Sequence, residues 1–406
     1  MTAITGRTAH SDSSLISVLT DEGFRLFFPL AAIYAALWPL QWVLVFGLDL
    51  PLVRSTPPAL WHVHEMIFGA FGAALIGFIT TAVPEWTDTE RLRGRPLLVL
   101  AALWLIGRLI GFLGADALGL VGMLCDLAWL CFLVLYMIGI TVRRRSDRLL
   151  PFISWVLVLT LCEAVARYGF MSEDSELASR MLRMAGLVFL GLLAIALARI
   201  TVPITNLVLD PTRGTAPFRP HPGRLNLAPG LVGVAALVDV LGFSPETCGY
   251  VLIAAGAAFM DRVGESFIGR AALRAEILVL SGSSALAGTG LLLNGAAKLG
   301  APIPELVGLH VGLMGGLGLG VLAVFCIAGL LHTHQSLGLP RGALLAIFLL
   351  VSAVAFRVLP DLGLMPDWPG SPYAPAAVLW AAAFLLWLKI YWPAVRVLQS
   401  GENQLG

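Results

Sequence analysis

Trp61-His62-Val63-His64-Glu65-Met66-Ile67-Phe68-Gly69 opens an apolar run that ends at Thr80-Thr81-Ala82-Val83-Pro84. The run is long enough to cross a bilayer as a helix. It sets two of the chain's seven histidines, a carboxylate and a thioether at the helix mouth, where each polar side chain is costly without a partner or a job. The stretch reads as the anchor of a metal centre. An α-helix turns about 100° per residue, so His62, Glu65 and Met66 are expected on one face and His64 on nearly the opposite one. On a regular helix the two imidazoles therefore serve different partners, and a shared metal requires a non-helical segment before Met66. The competing reading is a pair of interfacial histidines that cap a helix and bind nothing.

Composition sets the class. The chain has 406 residues, 58% hydrophobic and only 13% charged, with a mean hydropathy of +0.88; a soluble domain does not have this composition. The apolar stretches run to about 20 residues and lack the alternation of a β-barrel. The expected fold is all-α, a polytopic membrane protein of about twelve transmembrane helices whose partner is the lipid bilayer. Their centres fall near Ala36, Ala74, Leu105, Leu130, Leu159, Leu193, Ala235, Ala255, Ala285, Gly318, Leu350 and Phe384; the eighth is the shortest. No cleavable signal peptide is visible. A net charge of +1 argues against nucleic acid, and five cysteines set singly in apolar runs outline neither a zinc motif nor a disulfide framework.

Arginine distribution gives an orientation. One set of alternate loops holds Arg91, Arg93, Arg95, Arg143, Arg144, Arg145 and Arg148, with seven more between Arg213 and Arg341, while the other set holds Arg54, Arg180 and Lys298. The positive-inside rule then places both termini in the cytoplasm. The chain divides into a polar segment 1–24, one transmembrane domain 25–398 made of two six-helix halves joined by the cytoplasmic loop 208–225, and a tail 399–406. No repeat relating the halves is apparent.

On that topology His62, Glu65 and His310 lie at the outer ends of their helices, with Arg108, Asp126, Glu163, Arg167 and Arg357 in the same outer half. Glu163 and Arg167 are four residues apart and are expected to pair. Imidazoles and guanidinium groups at one depth meet the needs of a membrane haem, axial donors and propionate partners, and the Met66 thioether suits Cu(I). A salt-bridge layer with no cofactor is the alternative. His332 and His334 lie at the cytoplasmic end of the tenth helix, about 33 Å from His310 along a helix, too far to share its metal. Gly338 and Pro340 predict that this helix stops near His332, which would let His332 and His334 chelate a second metal. His10 and His221 read as solvated.

The sequence resembles the NnrS family, the haem- and copper-containing polytopic membrane proteins of bacteria associated with the nitric oxide response. The resemblance rests on Gly23-Phe24-Arg25, the stretch Trp61 to Gly69, Gly77-Phe78 with Thr81-Ala82-Val83-Pro84-Glu85-Trp86-Thr87, Gly94-Arg95-Pro96, Gly107-Arg108, Arg199 with Pro203 and Thr205, His310-Val311-Gly312, and His332-Thr333. Two positions depart from the family pattern: Ala198 stands where a glycine usually precedes the arginine, and Leu331 and His334 replace glycines around His332-Thr333.

The resemblance implies haem b and copper, a place in the bacterial inner (cytoplasmic) membrane, nitric oxide as a small gaseous ligand, and an electron donor if the protein is a nitric-oxide-metabolising oxidoreductase. His62, His64, His310, Arg108, Arg199 and Arg357 are the candidate cofactor-binding residues. His62, His64, Glu65, Met66, His310, His332 and His334 are the candidate metal ligands. A twelve-helix secondary transporter using the intramembrane charges and a haem-based sensor or assembly factor are the other functions this sequence admits.

Overall fold

The computed structural model describes residues 14–48, 56–113, 116–365 and 369–398; His10, Arg54 and the tail 399–406 lie outside them. The described residues form helices and no strand. In order these are α1 (Leu15–Leu19), α2 (Gly23–Leu48), α3 (Pro58–His64), α4 (Gly72–Thr87), α5 (Arg95–Leu113), α6 (Gly119–Arg144), α7 (Leu150–Met171) and α8 (Ser175–Leu209). There follow α9 (Arg224–Val240), α10 (Pro245–Val263), α11 (Ala275–Lys298), α12 (Glu305–His310), α13 (Gly318–Leu331), α14 (Arg341–Val358) and α15 (Ala374–Val395).

Two spans are broken. A π-helical turn, Glu65–Phe71, joins α3 to α4, and a second, Val311–Leu317, joins α12 to α13. Each leaves a carbonyl for a neighbour: the Trp104 indole donates to Gly69 O at 3.0 Å, and Ser283 Oγ donates to Gly316 O at 2.8 Å. The widened turns are thereby satisfied in a medium that offers no water.

All twelve expected centres fall on helices. Among the described residues, ten spans are long and apolar enough to cross a membrane, which makes this a multi-pass membrane protein. The other two are α9, whose 17 residues reach only about 26 Å, and α10, which carries Glu246 in its first turn and Asp261 and Arg262 near its last. Those two hug the bundle: α10 runs along α11 with Gly249 and Gly256 against it, where an added Cβ would come within 2.9 Å of Gly295 O and 2.7 Å of Gly288 O. Such backbone contact is how helices associate where apolar burial gives no preference.

The broken spans are the most enclosed, 83% of the apolar window of Pro58–Thr87 and 72% of that of Glu305–Leu331 being buried, against 28% for α14. They form the centre of the bundle, with α2 and α15 packed together beside them. One hydrophobic cluster extends from Phe24 to Val395. After α8, the Asn206 side chain holds Phe218 by both its backbone groups, at 3.1 and 2.7 Å. Hydrogen bonds from Thr212 and Thr215 hold the Asp210 carboxyl down at about 2.

Candidate functional site

The neighbours His62 and His64 enter different environments, as helical spacing requires. His64 is wholly buried. Its Nδ1 lies 2.9 Å from Glu65 Oε1 and its Nε2 3.0 Å from Glu163 Oε1. Arg167 Nε donates to Glu163 at 2.8 Å, the expected pairing across one turn of α7. Arg108 donates to Glu65 at 3.1 Å and to Asp126 at 2.5 Å, Arg167 reaches the same Asp126 oxygen, and the Tyr34 hydroxyl donates to Glu65. Both ring nitrogens of His64 thus face carboxylates, and an imidazolium there would donate to both; the guanidinium groups of Arg108 and Arg167 meet the carboxylates Glu65, Asp126 and Glu163. Ligand atoms of His64, Asp126 and Glu163 lie within 4.8 Å of one another, the spacing of a metal site, but guanidinium groups already hold the carboxylate oxygens. This is the polar layer read from the sequence, realised as a buried ion cluster.

His62 faces a cavity of about 290 Å³. Its ring stacks on Trp42 at 4.7 Å between centroids. His62 Nδ1 is buried and has no hydrogen-bond partner among the described residues, the kind of orphaned atom that calls for an explanation. His310 lines the same cavity, and its Nδ1 lies 2.9 Å from Leu306 O. A carbonyl only accepts, so Nδ1 carries the proton and the neutral ring offers its Nε2 lone pair.

Met66 and Met314 line the cavity too, each four residues after its histidine and each inside a π turn. His62-x₃-Met66 and His310-x₃-Met314 thus present the same pair of donors from the two central broken spans. Arg357 and Arg183 add guanidinium groups to the cavity wall; Arg357 is paired with Asp361 at 2.7 Å and lies 4.1 Å over the Tyr373 ring. Arg183 and Met314 escaped the sequence reading. The repeated His-x₃-Met spacing was the signal for Met314, whereas nothing in the sequence marked Arg183.

Several expectations are corrected. Glu65 does not share the His62 face: it turns to His64 and Arg108, the offset of about 60° that three residues of regular helix give being enough to carry it to the neighbouring side. Arg108 is held by two carboxylates of the chain and does not line the cavity. Arg199 sits over Trp86 and Phe152, at 4.9 and 5.5 Å, and donates to Arg148 O, also away from the cavity. At the other end of the protein α13 does stop at Leu331, but His332 Nδ1 turns to Glu22 at 2.9 Å and stacks near Phe24, while His334 is exposed with φ 55°. The two side chains face different surroundings.

The motif glycines have mechanical reasons. A Cβ on Gly107 would lie 2.8 Å from Asp126 Oδ1, and one on Gly77 would lie 2.9 Å from Phe27. Phe24 N donates to Thr81 Oγ1 at 2.8 Å, and Arg25 caps the end of α15 through Val395 O at 2.6 Å and Val397 O at 3.0 Å. The model of the family described as NnrS protein matches residues 18–396. The chain belongs to the NnrS family. No curated protein and no solved structure matches it. Within this NnrS chain the match takes in both His-x₃-Met pairs and every member of the ion cluster.

Proposed function

We propose that this NnrS protein binds haem b and copper, one of them in the His62/His310 cavity, and acts in the nitric oxide response of a bacterial inner membrane. The observation that carries the reading is the pair of imidazole-thioether sets facing one cavity, with the His310 tautomer held by Leu306 O and His62 Nδ1 left without a partner. The residues present fit either group, the same two imidazoles serving whichever metal is bound there. Neutral imidazoles are haem ligands, two imidazoles with two thioethers suit Cu(I), and Arg357 and Arg183 match propionates. When bound, such a centre supplies a redox-active iron or copper able to take a diatomic ligand. His62 and His310 would hold the metal, and Trp42, Phe71 and Trp380 exclude water around it.

An oxidase-type enzyme with two haems and a copper needs more imidazoles than this cavity offers, so the support is for a haem/copper protein that binds or turns over nitric oxide at one centre. The transporter reading draws on the broken central spans, a feature of transporter binding sites. An optical spectrum of the purified protein with metal analysis decides between them. The expected result is a Soret band with copper, weakened or shifted in His62→Ala and His310→Ala and unchanged in His221→Ala. A spectrum without a Soret band and a preparation without copper would leave the transporter ahead.

A further inference from the structure

The Arg199 guanidinium lies 4.9 Å from the Trp86 ring and 5.5 Å from that of Phe152. It also donates to Arg148 O, in the connection that leads into α7, which sets it at the depth where the spans end and lipid headgroups begin. This is the arginine-rich end of the bundle, the one the positive-inside rule places in the cytoplasm. Half-buried there, Arg199 has no carboxylate partner among the described residues, and neither has Arg148. Glu85 turns to His332 at 3.7 Å and Asp88 to Arg144 at 4.0 Å, and Asp147 makes no ion pair among the described residues. The charge acting on Arg199 is that of a second cation, Arg148. Aromatic faces meet part of such a charge; an anion is still wanting.

Beside this pair opens an apolar cleft, of which Phe152 forms part of the wall. α8 packs against α3 and both π turns, with Gly186 set against Leu313. Past them it faces α4 and α13 across a gap lined by no polar side chain. The cleft follows α8 from Phe189 to Ile200, about 16 Å of helix. Phe71, Phe189 and Leu317 are buried at its deep end, whereas Phe78, Ala196, Ile200, Val321 and Val324 are partly exposed. It is therefore open, and Ile200 at its mouth is the next residue after Arg199.

One molecule satisfies both features. We propose that Arg199 and Arg148 hold the phosphate of an anionic phospholipid of the cytoplasmic leaflet, and that one of its acyl chains lies in the cleft between α8, α4 and α13. The planar guanidinium fork suits phosphate, and that leaflet is the one whose anionic lipids attract basic residues at the membrane surface. Within a bilayer an open apolar cleft is filled by hydrocarbon, because bare walls forgo dispersion contacts and water finds no polar partner in it. The proposal is independent of the haem and copper reading.

Native mass spectrometry tests it on the full chain, delipidated in detergent and titrated with dioleoyl phosphatidylglycerol or dioleoyl phosphatidylcholine. The unsubstituted protein should retain one phosphatidylglycerol several-fold more tightly than phosphatidylcholine. Arg199→Gln and Arg148→Gln, the second at an exposed position, should each reduce that preference several-fold, and Arg213→Gln, in the loop after α8, should leave it unchanged. Ala196→Leu and Val321→Phe, which fill the cleft, should weaken retention of both lipids. Equal retention of the two lipids, or a preference indifferent to both Arg→Gln substitutions, overturns the headgroup site. Retention indifferent to both filling substitutions overturns the place of the chain. Displacement of the lipid by excess inorganic phosphate would make this a site for a free anion and overturn the lipid. A Soret band lost in Arg199→Gln with lipid retention unchanged would return Arg199 to a cofactor and overturn the proposal as well.

Discussion

At His310 the backbone decides the chemistry: the Leu306 carbonyl takes the Nδ1 proton at 2.9 Å and leaves Nε2 as the donor. Met314, one helical turn on, offers the second donor of that pair. Met314→Leu conserves volume and should cost less than about 1.5 kcal/mol of stability, yet lower copper content in metal analysis; full copper would exclude the thioether. The ion cluster should behave in the opposite way. Asp126→Asn removes the anion shared by Arg108 and Arg167 and should destabilise by about 3–5 kcal/mol, the usual cost of breaking a buried pair, lowering the thermal midpoint in detergent. The Soret band of whatever folded fraction remains should not move. A shifted band with an unchanged midpoint would return these residues to the cofactor, where Arg108 had been expected.

At the scale of the element, the π turns aim the histidine-bearing helix ends at the cavity, and their cost is met by Trp104 and Ser283. Widened turns of this kind recur at functional sites. The second one sits tight against α11, and a Cβ on Gly316 would lie 2.6 Å from Ala287 backbone atoms. Gly316→Ala should therefore overpack the contact by about 1–3 kcal/mol and reduce haem retention, measured as the ratio of Soret to protein absorbance. The connection after α8 depends on Asp210, which accepts from Thr215 N at 2.7 Å and Thr212 N at 3.0 Å. Asp210→Asn should speed tryptic cleavage after Arg213, and an unchanged digestion rate would show that the Asn206–Phe218 bracket alone holds the loop.

For the whole molecule, the arginine asymmetry predicts both termini in the cytoplasm. Because α9 and α10 are consecutive, ten crossings and twelve give the same answer. A fluorescent protein fused after Leu398 should fold and fluoresce in the cytoplasm, and an alkaline phosphatase fusion there should be inactive. A cysteine placed at Gly242, in the turn between α9 and α10, distinguishes the two counts: labelling from outside the cell means that both helices cross.

How far the sequence reached follows from which forces are local. Helix positions were legible because an apolar run of bilayer length has no alternative to helix, and the Glu163–Arg167 pair was legible because it lies within one helical turn. The separation of His62 from His64 followed from helical periodicity, and the end of α13 near His332 from Gly338 and Pro340. The π turns were not legible. A carbonyl freed at Gly69 or Gly316 is tolerable only because Trp104 and Ser283, from other helices, happen to reach it. The place of Glu65 went unread as well; His62 and His310 were put at one depth, but that they face one cavity across 248 residues of chain came from the packing. Arg108 was assigned to a cofactor because a guanidinium in hydrocarbon must have a partner, and Arg199 because it is among the residues that carry the family resemblance. Which partner each finds, two carboxylates for one and two aromatic rings for the other, is settled by tertiary packing, since spacing along one helix carries no information about the residues that other helices bring beside it.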